Sequence, residues 1–164
     1  VVSHSYNQLW SNEKAYCEYW LSHAPDAPFA KFVLADTYAR EGKYEQSKRL
    51  YESYGHDWAT LNNLGLLELK QGHEIKAQRY FMEALKENPN AALVYTNLAS
   101  MQIPIKQYHQ AEVYLQKAFQ LNQYQLPTRS LLIKTYILQS KFNQAIELSR
   151  DTMAIFPDER ISTN

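Results

Sequence analysis

Three alanines, Ala77, Ala111 and Ala145, recur at intervals of 34 residues, and the sequence around each repeats in type without a gap. Aligned on them, "LGLLELKQGHEIKAQRYFMEAL", "LASMQIPIKQYHQAEVYLQKAF" and "LIKTYILQSKFNQAIELSRDTM" share one pattern. It runs as a small or apolar pair, a break, an aromatic or aliphatic residue, then alanine and more apolar residues at helical spacing. A unit of this length splits into two amphipathic helices, and neither can bury its apolar face alone. The chain is therefore constrained to stack one helical hairpin on the next. Four glycines are too few for a β-rich chain with many tight turns, which agrees with an all-α reading.

Single residues support the same plan. Gly65, Ala77 and Ala84 are small where helices must approach closely, and aromatics fill the gaps between hairpins. Gly42 and Gly72 suit helix C′ positions, where φ is positive and a Cβ is costly. Pro25, Pro89 and Pro157 cannot easily continue a helix and mark the exits of second helices.

These residues resemble the tetratricopeptide repeat (TPR) family. In 58–91, Leu61, Leu64, Gly65, Gly72, Ala77, Phe81, Ala84 and Pro89 fall where the family has its signature types. The unit 92–125 keeps Tyr95, Leu98, Ala99, Tyr108, Ala111, Leu115 and Ala118, with Gln123 in the proline place. The unit 126–159 keeps Leu132, Tyr136, Phe142, Ala145 and Pro157. A shortened first unit, 28–57, keeps Leu34, Ala35, Tyr38, Gly42, Tyr44 and Tyr51, with Ser47 in the alanine place. Residues 1–27 form a leading half repeat and 160–164 a tail. The resemblance implies a right-handed helical-hairpin solenoid (a TPR-like α-α superhelix).

Bulk properties narrow the function. A chain of 164 residues is long enough for one domain with a sizeable core. Seventeen basic and seventeen acidic residues leave no net charge, which argues against a nucleic-acid partner and lends nothing to an anionic membrane surface. Cys17 is alone, so an internal disulfide and a Cys-rich zinc site are excluded. No apolar run approaches the roughly 18 residues of a membrane span. The opening "VVSHSYNQ" lacks Met and a leader pattern, so an excised domain or processed product is expected. The compartment is open between cytoplasm and periplasm.

"ESYGHDWAT" (Glu52 to Thr60) is the one place where His and Asp are adjacent beside Gly and Trp. Ser47 to Ala77 is 30 residues, four short of the interval kept elsewhere. The deficit places the end of a second helix near Tyr54, with Gly55 as its C′ residue, His56 as linker and Asp57 as the next N-cap. A metal needs three or four converging ligands, and His56–Asp57 has no such company. "HEIKA" at His73 lacks a second His four residues on, and no phosphate loop, nucleophile elbow or calcium loop is present. Neither catalysis, nor a metal, nor a cofactor is expected.

A protein or peptide is the expected partner, because TPR proteins commonly bind one on a concave face built from first helices. The outward positions read from the sequence are Phe29, Phe32, Asp36 and Arg40; Asn62, Asn63, Leu66, Leu69 and Lys70; Leu93, Thr96, Asn97, Ser100 and Ile103; and Ser130, Lys134 and Ile137. Asn62, Asn63, Leu66, Lys70, Thr96, Asn97, Ser100 and Lys134 are the candidate groove. Asn63 and Asn97 are 34 residues apart, with Val33 and Leu131 in the neighbouring places. The resemblance implies that an Asn there holds a peptide backbone, which suits an amide that donates and accepts. Phe32, Asp36 and Leu93 replace the residues of a carboxylate clamp, so an acidic chaperone tail does not fit.

Two irregular stretches remain. In "QIPIKQ", Pro104 removes a donor and crowds the Ser100 carbonyl, and Lys106 stands where glycine is usual, so a distorted turn is expected. "LWSNEKAYCEYWLSHAP" reads as a lone second helix, with Tyr16 and Trp20 packing on the first full unit and Trp10 and Tyr19 available for homo-oligomer formation. Its Trp and "AP" exit also resemble the soluble TPR tail of membrane-embedded glycosyltransferases. An accessory domain of such an enzyme is the alternative function.

Overall fold

The computed structural model describes residues 13–157, and every regular element among them is an α-helix. They are α1 (Glu13–His23), α2 (Pro28–Arg40), α3 (Tyr44–Tyr54), α4 (Trp58–Lys70), α5 (Glu74–Glu87), α6 (Ala92–Gln102), α7 (Tyr108–Leu121), α8 (Leu126–Leu138) and α9 (Phe142–Ile155). This is the helical-hairpin solenoid class. The chain divides into two compact units, residues 1–80 and 81–164, with the division inside α5.

In the first unit, α1 lies on the α2–α3 hairpin. Cys17, Ala30 and Leu34 are buried together, ringed by Tyr16, Trp20, Tyr38 and Leu50. The Trp20 and Phe29 rings are 6.3 Å apart, so Tyr16 and Trp20 pack as their spacing predicts. A second cluster joins α2, α3 and α4 through Ala35, Tyr51 and Leu64, with Phe32 and Tyr80 at its edge. Leu50 touches both clusters.

In the second unit, Ala99, Ala111, Leu115, Leu132, Ile133, Tyr136 and Ala145 form one core across α6 to α9. Fully burying a leucine such as Leu115 contributes about 2 kcal/mol. That gain depends on the alanines. Ala99 and Ala111 have no exposed surface, and a larger side chain at either would push the two helices apart.

The first helices of the four hairpins all end in the same turn. In each, an amide past the helix end, three places on at Lys43, His73 and Lys141 and five at Gln107, reaches back to a carbonyl five residues earlier: Lys43 to Tyr38, His73 to Glu68, Gln107 to Gln102 and Lys141 to Tyr136. The residue before it bonds a carbonyl three earlier: Gly42 to Ala39, Gly72 to Leu69, Lys106 to Ile103 and Ser140 to Ile137. This paired closure needs positive φ, found at Gly42 (75°), Gly72 (77°), Lys106 (61°) and Ser140 (59°). The distortion expected at Lys106 does not occur. The two backbone hydrogen bonds hold the left-handed residue in place even though it carries a side chain. Pro104 acts differently: it withholds the bond to Ser100, and α6 stops after 11 residues where α2, α4 and α8 have 13.

The 52–60 seam is built largely as its spacing requires. α3 ends at Tyr54, and Asp57 caps α4 by accepting from the Thr60 amide at 2.7 Å. Gly55 departs from expectation. Its φ is 164°, extended backbone open to any residue, and only its amide bond to Tyr51 at 3.3 Å closes the helix. The short seam runs straight on into α4, so no left-handed reversal is needed.

Two predictions follow from these local conformations. Replacing Gly42 or Gly72 by Ala should cost about 1 kcal/mol, because only the backbone angle resists the new Cβ. Gly55→Ala should be neutral within about 0.5 kcal/mol, and urea midpoints compare the three. Ser47 is fully buried in the alanine column, and its hydroxyl has no hydrogen-bond partner among the described residues. Ser47→Ala should therefore raise stability by about 1 kcal/mol, read as a higher midpoint at unchanged slope.

Candidate interaction surface

Helical spacing sorts the first-helix residues into columns. Asp36, Leu66, Ser100 and Lys134 hold equivalent places, and none of them is buried. Next to them Arg40 and Lys70 are exposed, as are Phe29 and Leu93 two turns earlier and Ile137 near the end of α8. These positions agree with the outward reading.

Asn62 and Thr96 do not. Both are buried, at 6% and 5% exposure. Thr96 Oγ1 bonds its own helix at Ala92 O (3.1 Å) and meets Thr128 Oγ1 on α8 at 2.8 Å. It is a contact between consecutive first helices, because those helices pack side by side and close that column. Asn62 turns its amide toward Asn63, 3.5 Å away.

Asn63 and Asn97 are half-buried. Asn63 bonds the Tyr51 hydroxyl, and burial pushes that phenol up to about 12, with the Asp36 charge adding to it. Part of the Asn63 amide is thus used inside the protein. Ser100 donates back to Asn97 O at 2.7 Å, while Lys134 is exposed. Leu69 and Ile103 are half-buried, and Ile103 belongs to the core of the second unit.

Buried charges join successive hairpins. Lys48 on α3 reaches Glu68 on α4 at 2.8 Å, and His73 Nδ1 lies 2.8 Å from the other oxygen. In the second unit the polarity is reversed: Glu112 on α7 receives Lys141 at 2.6 Å and the Gln139 amide at 2.7 Å. Burial opposes ionisation of both carboxyls. The cation and amide partners outweigh it and hold each below the usual carboxylate range.

Arg129 was missed from the sequence. It is 1% exposed and stands where the preceding unit has Tyr95. Both side chains reach back six residues, Tyr95 to Pro89 O and Arg129 to Gln123 O. Arg129 also holds Asp151 at 2.7 Å and Thr152 at 3.2 Å, and its guanidinium lies 5.0 Å from the centre of the Phe119 ring. The loop residue differs, Pro89 in one unit and Gln123 in the other, yet its carbonyl accepts in both.

Of the two residues read for self-association, Trp10 lies outside the described residues. Tyr19 is 46% exposed, with its ring 4.3 Å from that of His23. Among the described residues no three His, Cys, Asp or Glu side chains gather as a metal site. No described helix is long and apolar enough to cross a membrane.

Helical hairpins closed by identical turns and stacked through small residues define a repeat scaffold for protein interaction. Residues 59–91 and 92–125 match the tetratricopeptide repeat family model, and these two units are TPR repeats. Solved structures agree on the fold. A chain of the APC/C hetero-tetramer Cut9–Hcn1 aligns at a TM-score of 0.75 and 16% identity over 89% of this chain, which spans 30% of that one. YrrB, described as a TPR protein with an unusual peptide-binding site, aligns at 0.64 and 16% identity, over 98% of this chain and 84% of its own. MamA (residue 41 to the end) from Desulfovibrio magneticus RS-1 aligns at 0.67 and 16% identity, covering 89% and 85%. No curated protein resembles the chain closely enough in sequence to carry an identity across.

The buried carboxylates set a pH response. A depressed carboxyl adds stability above its unfolded value, about 4.3, and that stability is lost as pH falls through the lower folded value. Unfolding free energy should therefore hold from pH 7 to 5 and then drop on acidification. A Glu68→Gln, Glu112→Gln double variant should be less stable at pH 7 and show a shallower acid limb. Equal acid limbs would remove these two groups from the account.

Proposed function

We propose that this chain binds a peptide or extended protein segment on the exposed face of its first helices, without catalysis of its own. The observation that carries the reading is an equivalent first-helix place left unburied in each hairpin, Asp36 and Leu66 in the first unit and Ser100 and Lys134 in the second. Exposed Leu66, Leu93 and Ile137 supply apolar contact, and Arg40, Lys70 and Lys134 a mild basic surplus. Asn63 and Asn97 flank that column at equivalent places, with amides suited to a peptide backbone. Asn62 and Thr96 act beneath this face as supports. The peptide-binding site named for YrrB gives a precedent on the same fold.

Peptides selected from a random library by the wild-type chain provide the test. Leu66→Asp and Lys134→Asp should each weaken a selected peptide about tenfold or more at unchanged helicity. Retention of wild-type affinity by both variants would move the binding surface off the first helices.

A further inference from the structure

A second surface lies within the second unit, on the opposite side of α8. Leu132 and Tyr136 are one turn apart and face α7 and α9, whereas Lys134 between them faces away. Above Leu132 and Tyr136, α7 and α9 enclose an open cleft of about 540 Å³. Phe119 and Leu148 complete its apolar floor. Gln116 and Gln120 on α7 and Gln144 on α9 line its rims.

Charge in the cleft has one sign. Glu147 and Asp151 both come from α9. Arg129 holds one Asp151 oxygen from below, leaving the residue 55% exposed, and Glu147 is exposed with no ion pair among the described residues. No lysine or arginine is among the lining residues. Lys141 is held on Glu112 and Arg129 on Asp151, and neither cation is among the lining residues.

We propose that this cleft docks an extended segment of a partner protein carrying a basic side chain next to an apolar one. The apolar side chain rests on Leu132, Tyr136 and Leu148. The cation meets Glu147 and the free oxygen of Asp151. Gln120 and Gln144 each offer a donor and an acceptor, which matches the alternating amides of an extended backbone, whereas Gln116 already donates to Glu112 at 3.2 Å. From Gln144 to Asp151 the wall runs about 10 Å along α9, room for about three extended residues. This site is separate from the first-helix face, and either can fail without the other.

The test is an NMR titration of the whole chain with two short capped peptides in a Gly–Ser context. One has Leu flanked by Lys and Arg; the other has Leu flanked by two Glu. The basic peptide should saturably shift signals of Gln116, Gln120, Leu132, Gln144 and Leu148. Glu147→Gln should weaken it by up to about fivefold, the upper end for one exposed ion pair. Lys106→Ala, in the turn after α6 and outside both surfaces, should leave it unchanged. Equal shifts from the acidic peptide would overturn the charge assignment, as would full affinity in Glu147→Gln. Shifts confined to Ser100 and Lys134, or none up to millimolar peptide, would overturn the site itself.

Discussion

Close approach of helices at one column of small residues is the constraint on which the rest depends. Ser47, Ala77, Ala111 and Ala145 occupy equivalent places and are at most 4% exposed. A side chain reaching past Cγ there would separate second helix from first helix. The flanking large residues, Leu115 and Leu132 in one unit and Tyr51 and Leu64 in the other, would then lose the contact that makes their burial favourable. Within this column the chain tolerates an unpaired serine hydroxyl more readily than extra volume. Close packing is the stricter demand.

Around that column the backbone dictates more than the side chains do. Four turns keep one hydrogen-bond pattern although their left-handed residue is Gly, Gly, Lys and Ser in turn. The position after the small residue behaves likewise. It is Lys48 in one hairpin and Glu112 in another, and each meets a partner of opposite charge near the end of the next first helix. The fold fixes where a bridging side chain must stand. The sequence is then free to choose its sign, provided the partner changes too.

This division of labour leaves two kinds of surface open. Residues pointing away from the stack on first helices, such as Leu66 and Lys134, carry no packing duty. On the second-helix side, the cleft over Leu132 and Tyr136 is acidic and amide-rimmed, because Arg129 neutralises Asp151 from beneath and leaves Glu147 alone. The two surfaces differ in charge and so suit different segments of protein.

The sequence alone determined the helical-hairpin class, the helix that caps at Asp57, the glycine turns at 42 and 72, and the open places at Leu66 and Lys134. Those follow from periodicity and from conformations that few residues adopt, and both are local properties. Tertiary structure decided the rest. It buried Asn62, it buried Thr96 because α6 and α8 pack side by side there, and it tied part of Asn63 to Tyr51. Gly55 was extended because a seam four residues short needs no reversal, and Lys106 kept an undistorted turn through its backbone bonds. Arg129 became a buried tie because a loop carbonyl, an acid and an aromatic ring converge on it from three elements. Such convergence joins residues distant in the chain, and no spacing along the sequence records it.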